Sequence, residues 1–257
     1  SNGTRPRRVL DIIDTGVDYT YPDLGSCSTD QFLSGSCKKV AGGYDFYDND
    51  PDPMDCNGHG THVAATAAGN GVLKGVAPDA NVYAYRVLNC GGSGDSATLI
   101  ASVERVMDPN QDGDFSDHHD VLGMSLGWPP FFGDDVNELK AQTINNAVNA
   151  GVVAVISAGN SGEGYNGEGT IGSPGIARNA ITVGAANKQL QIADFSSRGP
   201  APDLDRVNKI DKPDIVAPGV DICAAGHRDR DNCNSDDNHV AWDGTSMAQP
   251  HVAGAAA

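Results

Sequence analysis

Five short apolar runs, at residues 9–13, 82–88, 121–126, 152–158 and 180–183, punctuate this chain, each at the length of a buried strand. Between them, residues 97–107 and 139–150 carry apolar side chains at helical spacing. Strands alternating with helices require crossovers, and crossovers force a mostly parallel α/β sheet with helices on both faces. Ligands of such sheets bind outside the carboxyl ends of the strands. Three strings stand at those ends: Asp14-Thr15-Gly16, Ser125-Leu126-Gly127 and Ala158-Gly159-Asn160. Asp11 interrupts the first run, and the sequence offers no partner for its costly buried charge.

Two further strings add chemistry. Gly58-His59-Gly60-Thr61-His62 supplies an imidazole and Gly244-Thr245-Ser246-Met247-Ala248 a hydroxyl, after the carboxylate of Asp14. A serine hydroxyl attacks poorly until a neutral imidazole takes its proton, and an acid holds that imidazole in the right tautomer. Ser246 is the expected nucleophile, in the first turn of a helix that Thr245 caps, where developing negative charge is favoured. Asp18 and Asp11 rival Asp14, and His62 rivals His59. Asn160, directly after a strand, is placed to donate its amide to an oxyanion.

In this order the three strings resemble the subtilisin-like serine proteases (subtilases), nearest in look to bacterial extracellular ones. Further strings fall in family order: Gly75-Val76-Ala77-Pro78, Met124-Ser125-Leu126-Gly127, Ser157-Ala158-Gly159-Asn160, Phe195-Ser196-Ser197-Arg198-Gly199-Pro200 and Ala217-Pro218-Gly219. The resemblance implies a three-layer subtilisin-like fold and a serine endopeptidase that works through an acyl-enzyme on Ser246. It makes His59 rather than His62 the general base, Asp14 its orienting acid and Asn160 the oxyanion donor. Gly92-Ser93-Gly94 and Ser125-Leu126-Gly127 become two edges that sandwich an extended substrate. Gly172 becomes the base of the first specificity pocket, roomy and uncharged, favouring large apolar residues. The pairing Cys56–Cys90 is also an implication of the family topology. Polypeptides are the implied partners, together with a propeptide in the precursor. A binding protein on the same fold would be expected to have lost triad members, and an esterase would have less use for paired substrate edges.

Net charge is −17 over 257 residues, which argues against nucleic acids and anionic membranes as partners. Only four of the 34 acidic residues are Glu, and the Asp excess suits turns and calcium-binding loops. One segment, Asp108-x-Asn110-x-Asp112-Gly113-Asp114, opens like a calcium loop, with Asp117 nearby and His119 where a bidentate Glu belongs. Structural Ca²⁺ held by Asp108, Asn110, Asp112, Asp114 and Asp117 is therefore expected. Asp23 matches a carboxylate of the family's strong calcium site, but the loop completing that site is short here, so Asp23 reads as a turn residue. The stretches 45–55 and 229–237 read as acidic surface loops.

Six cysteines allow fifteen pairings, although sequence proximity favours Cys27–Cys37 and Cys223–Cys233. Disulfides imply an oxidising compartment, hence a secreted, extracellular protein, read here as a monomer. Residues 1–257 read as one catalytic domain, and the stop at Ala257, inside the helix expected after Ser246, reads as truncation of a longer precursor.

Overall fold

In the computed structural model, the structure describes residues 8–129, 137–162, 169–201, 210–226, 233 and 238–257. The strands are β1 (Val9–Asp14), β2 (Val40–Asp45), β3 (Asn81–Arg86), β4 (Val121–Met124), β5 (Val153–Ser157), β6 (Ile181–Ala186), β7 (Ile215–Pro218), β8 (Ile222–Ala225) and β9 (His239–Trp242). The helices are α1 (Thr29–Leu33), α2 (His59–Ala68), α3 (Ser96–Met107), α4 (Leu139–Ala150) and α5 (Thr245–Ala256). Seven strands form one sheet in the order β2-β3-β1-β4-β5-β6-β7, and every neighbouring pair is parallel. β8 and β9 form a separate antiparallel pair.

The apolar runs are continuous because both faces of the sheet are covered. Successive side chains alternate faces, so Leu10 and Ile12 join one core with Val63 of α2 and Met247 and Ala248 of α5. Ile13, Leu122 and Ile156 join the other, against Leu99 and Val103 of α3 and Ile144 of α4. This is the three-layer α/β arrangement expected from the alternation. Topology also reverses beside β1: the chain runs outward to β2 on one side and β4 on the other, opening a crevice at the strand ends.

Three disulfides close the scaffold: Cys27–Cys37, Cys56–Cys90 and Cys223–Cys233. The second ties the segment entering α2 to the loop after β3. Asp11 has a partner after all. Its Oδ1 accepts the Nδ1 proton of His119 at 2.8 Å inside the second core, where the His119 ring lies edge-on to Tyr83. The stretch 45–55 is described, and Asp45 and Asp55 within it are buried rather than surface residues. Most of 229–237 lies outside the described residues.

Candidate active site

β1 delivers Asp14 to the carboxyl edge of the sheet with its side chain fully buried. Its Oδ1 accepts the Thr15 N–H at 2.7 Å and the ring nitrogen Nδ1 of His59 at 2.7 Å. A carboxylate only accepts, so Nδ1 carries the proton and Nε2 keeps a lone pair for a substrate-side proton. The close approach of α2 to β1 depends on Gly60: a Cβ there would lie 2.1 Å from the Gly16 carbonyl oxygen. Burial lowers the His59 pKa, but the charge and hydrogen bond of Asp14, aided by the charge of Asp55, outweigh it and leave the pKa raised above 6.5.

The rivals are engaged elsewhere. Asp18 accepts from the Thr20 amide and hydroxyl as a turn residue. Asp11 belongs to His119. His62 is fully buried, its Nε2–H donating to the carbonyls of Ile222 at 3.0 Å and Val240 at 3.2 Å, and burial pushes its pKa down to about 4. It is a neutral structural ring.

Ser246 is the second residue of α5, entered through Gly244 at φ 156°. The expected Thr245 cap is not formed. Gly244 is the N-cap residue, and the Thr245 hydroxyl donates to Asn160 Oδ1 at 3.0 Å while accepting the Gly159 N–H at 3.1 Å. The Thr245 N–H also donates to Asn160 Oδ1, at 2.9 Å. An N–H cannot accept, so this settles the amide orientation and leaves Asn160 Nδ2 as the free donor. The Ser246 Oγ–H donates to the Ser125 carbonyl at 2.9 Å, and no hydrogen bond to His59 is formed among the described residues. Catalytic hydrogen bonds often tighten only with substrate bound.

His59, Ser246 and Asn160 line one cavity of about 490 Å³. Its lining includes Gly92, Ser93, Gly94, Ser125, Leu126, Gly127 and Gly172. Apart from His59, no ionisable side chain is among the described lining residues. Trp128 bridges antiparallel to Ser173, which fixes the second edge. Gly172 lines the cavity, and glycine there also lets two segments touch, since a Cβ would lie 2.3 Å from the Trp128 carbonyl oxygen.

Two contributors escaped the sequence reading. Asp55, buried at 4% exposure, accepts the amides of Asn57 and Gly58 through Oδ1. Its Oδ2 accepts the amide and hydroxyl of Thr61, so it holds the start of the helix that carries His59. Trp242, at the end of β9, lies parallel to His59 and His62. Neither is marked in the sequence: the N-cap of the helix is Gly58, Asp55 lies three residues before it, and a lone Trp gives no signal.

The expected calcium ligands serve the amides of their own loop in this structure. Among the described residues no group of three or more His, Cys, Asp or Glu could hold a metal ion. Asp108 accepts from the Asp112 and Gly113 amides, Asp112 from Asp114, and Asp114 from Ser116. Asn110 turns its NH₂ toward Asp117. The loop is a chain of Asx turns, which needs the same residues at the same spacing. Asp23 does not fit a cation either. It accepts the amides of Val72 and Leu73 and the Nε2–H of His239, so hydrogen-bond donors occupy both oxygens.

An acid, a base and an alcohol at the rim of a parallel sheet, beside an oriented amide, define a serine-hydrolase class of site. The model of the subtilase family matches residues 7–257, and the chain belongs to that family. It is 45% identical over 200 residues to the minor extracellular protease Vpr of Bacillus subtilis (strain 168), covering 72% of this chain and 21% of Vpr. It is 37% identical over 250 residues to the thermophilic serine proteinase of Bacillus sp. (strain AK1), covering 96% of this chain and 50% of that protein. A cold-adapted subtilisin-like serine proteinase of known crystal structure matches with TM-score 0.70 and 33% identity, over 96% of this chain and 72% of that one. The chain thus spans half or less of these two bacterial relatives' length.

Proposed function

We propose that the protein containing this chain is a secreted serine endopeptidase. The observation that carries the reading is the Asp14–His59 hydrogen bond at 2.7 Å, with Ser246 and Asn160 on the same cleft. In this reading Ser246 Oγ attacks the scissile carbonyl carbon and its proton passes to His59 Nε2. The Asn160 NH₂ and the Ser246 N–H support the oxyanion. Collapse of the tetrahedral species returns the proton from Nε2 to the leaving amine, and water then repeats the cycle to release the acyl group from Ser246. Asp14 keeps the ring in the Nδ1–H tautomer and supports the transient imidazolium.

The substrate is an extended polypeptide laid between residues 92–94 and 125–127, read mainly through its main chain. An uncharged first pocket with Leu126, Ala158 and Gly127 on its walls favours large apolar P1 residues. Secretion is supported by the three disulfides and by the extracellular relative Vpr, although an intracellular serine protease of Paenibacillus polymyxa is also 35% identical.

Profiling cleavage of a peptide library with varied P1 tests this. Phe, Tyr or Leu at P1 is expected to exceed Lys and Glu in kcat/KM. Equal rates, or hydrolysis of small esters without any peptide cleavage, would overturn it and favour an esterase.

A further inference from the structure

The hydrogen bond that His59 donates to Asp14 fixes one atom of its ring. The ring is also tethered through Cβ, so what remains is a coupled rotation about Cα–Cβ and Cβ–Cγ that tilts its plane and carries Nε2 with it. The neighbour positioned to remove that freedom is Trp242. Its ring centroid is 6.4 Å from that of His59 at an interplanar angle of 17°, within the range of offset stacking. The same indole stacks on His62 at 4.8 Å and 18°. His62 is itself clamped, because its Nε2–H is shared between carbonyls of β8 and β9. The indole therefore rests on a fixed, neutral ring and presents a plane to the mobile one, four residues before Ser246.

We propose that Trp242 is a positioning residue for His59, setting its ring plane by offset stacking so that the Asp14 hydrogen bond is kept as His59 takes the Ser246 proton. This rests on the proposed hydrolytic role of His59, Asp14 and Ser246. The ionisable groups acting on His59 among the described residues are Asp14 at the end of β1, Asp55 before α2 and His62 on α2. The exposed Asp243 follows Trp242. None of these is altered by substituting the indole.

The test uses the active enzyme and the substitutions W242L and W242F, with a peptide methyl ester, whose leaving group is only methanol, followed by acid release. For W242L, kcat is expected to fall about two- to fivefold. The acid limb of kcat/KM should move down by about half a pH unit, because a ring held less firmly against Asp14 loses part of the hydrogen bond that raises it. W242F should recover most of both. A folded W242L with the acid limb unmoved overturns the proposal. So does a W242L effect confined to KM for peptides with leaving-side residues, which would mark a plain substrate contact.

A second readout does not need turnover. The chain has two tryptophans, so W128F leaves Trp242 as the one indole. Its fluorescence should be quenched as His59 protonates, and H59N should abolish that step. His62, with a pKa of about 4, stays neutral above pH 5. A W128F protein with no such titration between pH 5 and 9 overturns the ring contact. Failure of hydrolysis with the titration intact would instead count against the enzymatic reading.

Discussion

Asp55→Asn is predicted to damage both the scaffold and the base, through a side chain that never meets substrate. Four donors converge on this carboxylate: the amides of Asn57 and Gly58 on one oxygen, the amide and hydroxyl of Thr61 on the other. Asparagine keeps one acceptor and turns an NH₂ toward Thr61, leaving its buried amide without a partner. An unmet buried donor costs about 1–3 kcal/mol. The lost negative charge near a helix N-terminus removes about 0.3–1 kcal/mol more. A total of roughly 1–4 kcal/mol corresponds to a fall in Tm of roughly 3–15 °C for a chain of this size. The assay is thermal unfolding in a Ser246→Ala background, so that self-digestion cannot contribute. In the active protein, Asp55→Asn also removes a negative charge that raises the His59 pKa, so the acid limb of kcat/KM should shift down. A change of Tm below about 1 °C, with an unmoved acid limb, would refute both parts.

Replacing Cys56 and Cys90 together by Ser should lower stability by about 4 kcal/mol, from the chain entropy of a 34-residue loop; an unchanged denaturant midpoint would contradict this. Burial raises Asp11 to about 6, and His119 is raised because the hydrogen bond and charge of Asp11 outweigh its own burial. Both folded-state values exceed the unfolded ones, so the folded state holds the extra proton and stability falls as pH rises, first from about 3.8 through 6 for Asp11, then from 6.5 through the raised His119 value. Asp11→Asn should flatten the dependence of Tm on pH from about 3.8 upward, removing Asp11's own titration and what it adds to His119, with a parallel pair of curves as the contrary result. Asp112→Asn should change Tm equally in EDTA and in excess calcium, because the Asp112 carboxylate serves the Asp114 amide; a calcium-dependent difference would restore the metal reading.

Strands buried on both faces were legible because burial writes itself as unbroken apolar runs, as in β1, β4 and β5. β2 was not, since Gly42 and Gly43 break its apolar pattern at an irregular register. β7 was also missed, being a four-residue edge strand with exposed Ile215 and Val216. In the site, Asp14, His59 and Asn160 were legible because each sits in a local string whose turn chemistry places it. The partners of Asp11 and Asp23 were not. His119 and His239 lie 108 and 216 residues away from them, and nothing in a single sequence marks such pairs. The segment 108–117 is ambiguous for the opposite reason, as alternating Asp and Asn satisfy a calcium ion and a run of Asx turns equally well.

The central claim is that Asp14 and His59 activate Ser246 and no other serine. The most direct measurement is fluorophosphonate labelling of the folded protein, with the modified residue mapped by peptide mass spectrometry. Labelling at Ser246 that rises with pH through a value above 6.5 and disappears in His59→Ala is the predicted result. Labelling elsewhere, or labelling of Ser246 that survives loss of the imidazole, would contradict it.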